Sequence, residues 1–521
     1  MHEIEIVLIA LLVSVAVLAS AARAANLPYP IVLVLGGIVL GVVPGLPDAR
    51  LDPDLVLVIF LPPLIYSSAF FTNLSDLRRD LRPISLLAIG LVLVTTVTVA
   101  FMAHAVIDGM SWAVAFTLGA IVAPTDTVAT GAILQRMNLP RRMRSVLEGE
   151  SLVNDGTALV AYKVAVAAVL TGSFSLADAG YHFLADAGGG VLIGLAAGWA
   201  IAEVRRRLDD PLIENTISLL SGFAAYIPAE RIGASGILAA VTVGIYMGYR
   251  SAGIVSPATR LQGQMLWEVL VFLLNAILFV LIGLQLPVIV GGLDGYSGAT
   301  LVGWGLLVSA VVILTRLVWQ NTVVFLIRAI DRRPHLVARR TDWRTRTVSG
   351  WAGIRGAVSL AAALALPAGF PDRDLVIFLT FCVITVTLVG QGLTLPWLIR
   401  ALGVSDGGRE QEEELKARLR VTKAAIGRID ELGGEEWTRD DTVERMRGHF
   451  EYRKRRLAAR AGRIEDDGYE DRSVAYQTMV REILEAQRAE LQRLRADGTI
   501  SADVMRRLER ELDLEDQRLE I

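Results

Sequence analysis

Apolar residues along this chain come in long blocks, not in the interrupted stripe of a water-facing helix. Thirteen runs have the length to cross a bilayer: 4–22, 29–46, 54–72, 83–107, 111–134, 145–171, 183–204, 212–229, 233–250, 265–290, 299–327, 347–368 and 374–400. Hydrocarbon offers the backbone no hydrogen bonds, so each run is predicted to be a helix. After Leu402 the pattern changes. Residues 409–519 are rich in Glu, Arg, Leu and Ala, with breaks at Gly433-Gly434 and Asp466-Asp467-Gly468. That spacing predicts three or four amphipathic helices. The chain therefore reads as an all-α polytopic membrane protein over 1–402 with a helical tail over 403–521. The plain reading of the tail is a solvated helical domain; regulation or dimerisation is the alternative.

Charge sharpens this division. The last 121 residues hold 53 of the 105 charged side chains and about −5 of charge, so the net −3 says little about the rest. Nothing in it points to nucleic acid. Cys382 is the single cysteine, forms no intrachain disulfide and reads as packing. Glu3 and Glu5 stand at the start of the first run, where a signal peptide would carry basic residues, so that run is read as a transmembrane helix. Twenty arginines fall in alternate loops: Arg23; Arg78, Arg79, Arg82; Arg136, Arg141, Arg142, Arg144; Arg205, Arg206, Arg207; Arg250, Arg260; and Arg328, Arg332, Arg333, Arg339, Arg340, Arg344, Arg346. The other loops hold three, Arg50, Arg231 and Arg373. This bias predicts an outside N-terminus and a cytoplasmic tail.

Three runs are interrupted. The third contains Pro62 and Pro63, the fifth reads VAPTDTVA over 122–129, and the twelfth reads WAGIRGAVSL over 351–360. Proline removes a backbone donor, and helices broken in mid-membrane mark ion or substrate sites in transporters. If two six-helix repeats flank a linker helix, the fifth run corresponds to the twelfth. Gly190, Gly194 and Gly198 form a close-packing face, against another helix or a second subunit.

Charges in the apolar runs are costly and so suggest function. The stretch 148–156, EGESLVNDG, places Glu150, Asn154 and Asp155 within two helical turns. Ser151 and Asp155, four apart, share a helix face and offer the hard oxygens a small cation prefers. The broken fifth run adds Asp126 and freed carbonyls near Thr125. The bland alternative is a polar interface whose members satisfy one another; it suits Ser151 and Thr125 better than Asp155. Arg316 and Arg355 also fall in apolar runs. Arginine stays charged, so each needs an acid partner or a cage of carbonyls. If Glu150 and Asp126 are each paired, Asp155 alone remains free to change state, and exchange on it would be one-for-one. Lys163, about 12 Å along the helix from Asp155, is expected to snorkel at the outer end. His104 is read as interfacial packing.

The chain resembles the cation:proton antiporter-1 family, the NhaP-type bacterial Na+/H+ exchangers. GESLVNDGTAL at 149–159, APTDTVA at 123–129, Arg316, GIRGAVSL at 353–360, VGQGLTLP at 389–396 and LPPLIY at 61–66 carry the likeness. The resemblance implies a 13-helix fold of two inverted six-helix repeats, a homodimer, and a core domain that carries the ion past a dimerisation domain. It implies that Asp155 binds ion and proton, that Asn154 braces it, and that Ser151 and Thr125 are ion ligands. Glu150 would partner Arg316, while Asp126 and Arg355 would lie where the broken helices cross. Ser67 stands where many relatives carry a glutamate, which leaves ion preference and pH dependence open.

The function expected is Na+ or Li+ exchange for H+ across a bacterial cytoplasmic membrane, without a cofactor. K+/H+ exchange is the close rival. A cation channel with a regulatory tail is the rival of another class, though no repeated pore loop is present. An enzyme is not expected, for the sequence has no nucleophile motif or clustered His/Cys ligands.

Overall fold

A computed structural model describes residues 2–43, 56–134, 137, 139–172, 176–293, 295–330, 342–465 and 468–519. Arg50, Arg136, Arg332, Arg333, Arg339, Arg340, Asp466 and Asp467 lie outside the described residues. The chain separates into two compact units, Met1–Ser405 and Asp406–Ile521.

Each apolar run contains helix among its described residues. The first two are α1 (His2–Ala24) and α2 (Tyr29–Gly41). The third is a π turn, Val56–Phe60, running into α3 (Leu61–Phe71), and a short α4 (Leu74–Arg79) follows. Next come α5 (Leu81–Val106), α6 (Trp112–Val122), α7 (Thr127–Leu134) and α8 (Arg141–Thr171). The middle of the unit holds α9 (Leu176–Arg205), α10 (Pro211–Arg231), α11 (Gly236–Ile254) and α12 (Pro257–Leu284), with a short α13 (Leu286–Val290). It ends with α14 (Gly298–Ile330), α15 (Trp343–Trp351), α16 (Ala357–Leu364) and α17 (Arg373–Leu402). No strand occurs among the described residues. Six of these helices have the length and composition to cross a membrane unaided. The fifth and twelfth runs are broken as expected, at 123–126 and 352–356.

The membrane unit contains two apolar cores. The larger joins α1, α2, α5–α8, α12 and α14–α17, around residues such as Val34, Leu118, Val280, Val308 and Leu379. The smaller joins α3, α9, α10, α11 and the start of α12, around Tyr66, Ala225, Val243 and Trp267. A thin third cluster lies between them, where Leu152 of α8 meets Leu61, Ile65, Tyr226, Ile237 and Ala240. Gly156 of α8 lies under the Leu238 side chain in the same seam. Lys163 makes an ion pair across it with Glu230 at 3.5 Å, so the snorkelling lysine has a partner.

Small residues set the closest approaches. Gly190, Gly194 and Gly198 of α9 pack on Ser235 and α11; a Cβ at Gly194 would lie 2.6 Å from the Ala239 carbonyl oxygen. Their partner is thus a helix of the same chain. Gly37 of α2 and Gly283 of α12 bring two backbones together, and a Cβ at Gly283 would lie 2.6 Å from the Ile38 nitrogen. His104 stacks on Trp112 with centroids 4.1 Å apart, in agreement with a packing role.

The second unit has four helices: α18 (Arg409–Leu432), α19 (Asp440–Arg460), α20 (Tyr469–Ala496) and α21 (Ala502–Leu519). Gly433-Gly434 ends the first, and Gly468, at φ 74°, caps the third. Leu419, Ile426, Leu457 and Leu484 are buried, and Arg488 of α20 reaches Asp513 and Asp516 of α21 at 2.9 and 3.1 Å.

Because no side chain can move out of a backbone-to-backbone contact, Gly283→Val should destabilise the membrane unit by about 1–3 kcal/mol or more. Thermal unfolding in detergent should show the loss. An unchanged midpoint would mean that α2 and α12 do not meet at these glycines.

Candidate ion-binding site

Helix α6 stops at Val122 and α7 starts at Thr127, while α15 stops at Trp351 and α16 starts at Ala357. The two breaks cross. Each leaves carbonyls without acceptor bonds on one side and N–H groups without partners on the other. The ends are fastened to each other through backbone: the Asp126 N–H donates to the Ile354 carbonyl at 2.7 Å. The Thr130 hydroxyl lies 3.3 Å from the Ala352 carbonyl oxygen, to which it also donates.

Opposite charges meet opposite helix ends. Arg355 is fully buried, and its Nε donates to the Val122 carbonyl, at the C-terminal end of α6, at 3.1 Å. One of its terminal nitrogens donates to the Gly353 carbonyl. Asp126 sits at the start of α7, where its Oδ1 accepts the Ala129 N–H at 3.3 Å. Its carboxylate also lies against Gly356, just before α16, where any Cβ would collide with it. A carboxylate at helix N-termini and a cation at C-termini are each stabilised by the partial charges there. Of the two arrangements open to a buried arginine, an acid partner or a cage of carbonyls, Arg355 has the carbonyls. The reason is local: the broken helices end in carbonyls that the helix itself does not use.

The other pair forms as expected. Arg316 of α14 and Glu150 of α8 are both about 1% exposed. Two guanidinium nitrogens reach the two carboxylate oxygens, the second at 2.9 Å, and the first is shorter still. Arg316 also donates to the Ser349 carbonyl at 3.3 Å, and Glu150 accepts from the Thr125 hydroxyl at 3.3 Å. Gly353 leaves room for both arginines, since a Cβ there would lie 2.6 Å from Arg316 Nε and 3.0 Å from an Arg355 terminal nitrogen.

Around Asp155 the polar groups converge on Thr125. Asn154 Nδ2 donates to the Thr125 hydroxyl at 2.9 Å, and the Ser151 hydroxyl donates to the Thr125 carbonyl at 2.9 Å. Asn154 is buried and its Oδ1 has no partner. Both hydroxyls are donors, Ser151 to the Thr125 carbonyl and Thr125 to Glu150, yet a donating hydroxyl keeps lone pairs for a cation. Asp155 differs from its neighbours. Its carboxylate makes no hydrogen bond or ion pair with any described residue, and it lines a cavity of about 70 Å³. Ser151, Thr125 and Asp126 line the same cavity, while Asn154, Glu150, Arg316 and Arg355 stand behind it. Space of this size admits a few water-sized bodies.

Three polar side chains join the cavity without having been picked out in the sequence: Ser68, Asn275 and Ser359. Asn275 stood as a lone amide in the apolar run VFLLNAILFV, a visible signal. Ser359 lies within the GIRGAVSL motif. Ser67, the position that departs from the family pattern, is buried and donates to the Leu64 carbonyl at 3.0 Å; its neighbour Ser68 faces the cavity.

Comparison with known proteins follows the same lines. The family model described as "Sodium/hydrogen exchanger, transmembrane" matches residues 7–401. An uncharacterized Na(+)/H(+) exchanger of Mycobacterium tuberculosis is 34% identical, over 99% of this chain and 96% of its own length. The Na(+)/H(+) antiporter ApNhaP of Aphanothece halophytica is 33% identical, over 78% of this chain and 75% of its own. The sodium, potassium, lithium and rubidium/H(+) antiporter of Bacillus subtilis is 33% identical, over 71% and 58%. The solved structure of the sodium proton antiporter MjNhaP1 from Methanocaldococcus jannaschii superposes with a TM-score of 0.61. That likeness is at 21% identity and covers 78% of this chain and 99% of the other, a likeness of fold.

Removing one member of a buried ion pair strands the other, at a cost of about 3–5 kcal/mol. Glu150→Ala and Arg316→Ala should each lose that much stability, measured by thermal unfolding in detergent. The double variant Glu150→Leu/Arg316→Met should recover most of it. Losses that simply add would show that the two groups do not stabilise each other.

Proposed function

The chain belongs to the sodium/hydrogen exchanger family, and on that premise we propose that it exchanges Na+ or Li+ for H+ by alternating access at Asp155. Its relatives are transporters, not enzymes. One observation carries the reading: Asp155 is a carboxylate on a cavity wall with no partner among the described residues, beside the oxygens of Ser151 and Thr125. A carboxylate in such a place is neutralised by a proton or by a cation, and the two compete.

The exchange is one-for-one. Arg316 balances Glu150, the N-terminal ends of α7 and α16 balance Asp126, and the carbonyls of Val122 and Gly353 balance Arg355. Asp155 is then the group left to titrate. Whichever occupant it holds, the site crosses with the same net charge. Na+ would take oxygens from Asp155, Ser151 and Thr125, with Asn154 fixing the break and Asp126 adding a negative field. The seam between the two cores is where the body that carries α8 slides past α3, α10 and α11. Being apolar apart from the Lys163–Glu230 pair, it offers little resistance to sliding.

The rest of the reading follows the sequence. The thirteen runs form two inverted six-helix repeats in a bacterial cytoplasmic membrane, with the N-terminus outside. Residues 1–402 are the antiporter domain and 403–521 a cytoplasmic tail, and the protein works as a homodimer. K+/H+ exchange is the second reading, because the Bacillus relatives are described as taking potassium and rubidium as well as sodium and lithium.

In proteoliposomes, a Na+ or Li+ gradient should drive proton movement, and Asp155→Asn should abolish it while the protein still unfolds at its normal temperature. Exchange by that variant would overturn the site. The wild type should generate no membrane potential as it works; a potential that reverses with the ion gradient would overturn the one-for-one count. Running Na+, Li+ and K+ in turn decides between the two readings.

A further inference from the structure

We propose that Asn275 is a cation-coordinating residue that sets the affinity and selectivity of the site from the wall formed by α12. This rests on the antiport reading given above. Asn275 is 4% exposed. It lies in a helix whose flanking residues are apolar, where a buried amide is costly unless it is used or satisfied. Its Nδ2 donates to the Val271 carbonyl at 2.7 Å, the back-bond open to a polar side chain in a helix. That bond fixes which way the amide is turned. One amide hydrogen is spent on the helix, and no described residue donates to the carbonyl oxygen Oδ1. The side chain lines the same cavity as Asp155, Asp126 and Ser151.

The surroundings concentrate this effect. Asn275 is the polar side chain that α12 brings to the cavity, and its companion from that helix is Leu278, one turn on. Leu278 packs with Ala361, and Phe60, Leu64 and Ala357 close around them. An amide oxygen beside an apolar collar faces few competing donors. Hard cations are bound by several oxygens at once, among them neutral amide carbonyls. A proton needs one carboxylate. An added neutral oxygen therefore strengthens cation binding without changing the charge count or the proton's own site. Ser151 and Asp155 lie on α8 and Thr125 on the α6–α7 break, so Asn275 completes the shell from a separate helix.

The test uses the full-length protein in proteoliposomes, with Asn275→Leu and Asn275→Ser. Asn275→Leu should raise the Na+ concentration for half-maximal exchange by at least about tenfold, as expected when a ligand to a charged group is lost. It should also alter the order among Li+, Na+ and K+, while the maximal rate at saturating cation is kept. Asn275→Ser, which retains an oxygen, should fall between. The same ranking should appear without transport, as a weaker rise in unfolding temperature on adding Na+ or Li+ in detergent. Half-maximal concentrations and ion order unchanged in both variants would overturn the proposal. So would a fall in maximal rate of equal size for all three ions at unchanged half-maximal concentration, the sign of a purely structural role. Should Asn275→Leu fail to fold, Asn275→Ser decides by the same two readouts. A wild type that shows no cation-driven proton movement would instead overturn the antiport reading itself.

Discussion

Two helices that stop halfway create a demand that the rest of the membrane unit meets. A helix end buried in protein exposes carbonyls or N–H groups that water cannot reach, and each costs free energy until it is satisfied. Arg355 answers at the carbonyl ends and Asp126 at the N–H ends. Both charges are thus held at backbone groups of the broken helices. This leaves helix α8 free to divide its own acids. Glu150 faces Arg316 across the larger core, and Asp155 faces the cavity. The arrangement is a sorting of charges by position: those fixed by backbone or by a guanidinium cannot exchange their neutralising partner, and the one on the cavity wall can.

Much of this was legible in the sequence because a charge inside an apolar run is conspicuous. Glu150, Asn154, Asp155, Arg316 and both helix breaks could be read from residue types and spacing. What could not be read was satisfaction by backbone. A carbonyl has no letter in the sequence, so the sequence left Arg355 with either an acid partner or a cage of carbonyls, and the structure gives it the carbonyls of Val122 and Gly353. Asn275 was passed over for a related reason: a lone amide in a helix can satisfy part of itself on its own backbone, and the sequence does not say which end is left over. The π turns at Val56–Phe60, Leu86–Leu91 and Val386–Gln391 were likewise hidden, since apolar runs look alike whether they bond at four or five residues. The glycines of α9 announced close packing, but only the fold identified α11 as what they pack against.

On the alternating-access reading, packing decides where the molecule could slide. Within either core, side chains interlock, and glycines such as Gly37 and Gly283 press backbones together, so relative movement there would be costly. Where α8 meets α3, α10 and α11 between the cores, the contact is apolar, made by residues such as Leu152, Leu61, Ile65, Tyr226 and Ile237. Dispersion contacts of this kind re-form after a shift, whereas hydrogen bonds do not unless a new partner arrives. The cavity opens on this seam, with α3 on one wall and α8 with the crossing on the other. On the antiport reading, a cation held there would touch both sides of the seam.

On the antiport reading, coupling follows from the cost of an empty site. A bare Asp155 carboxylate drawn along the apolar seam has no donor or cation to stabilise it, and a charge in that setting is costly. A protonated or cation-bound carboxylate avoids the penalty. Movement is therefore allowed for two occupied forms and opposed for the empty one, which is the condition for exchange instead of leak. Proton affinity is set mostly by the carboxylate and its local field. Cation affinity depends in addition on how many oxygens surround the ion. The two can thus be tuned separately: neutral ligands such as Ser151, Thr125 and Asn275 adjust which cation competes, and how well, while the number of charges carried per cycle stays fixed by Asp155.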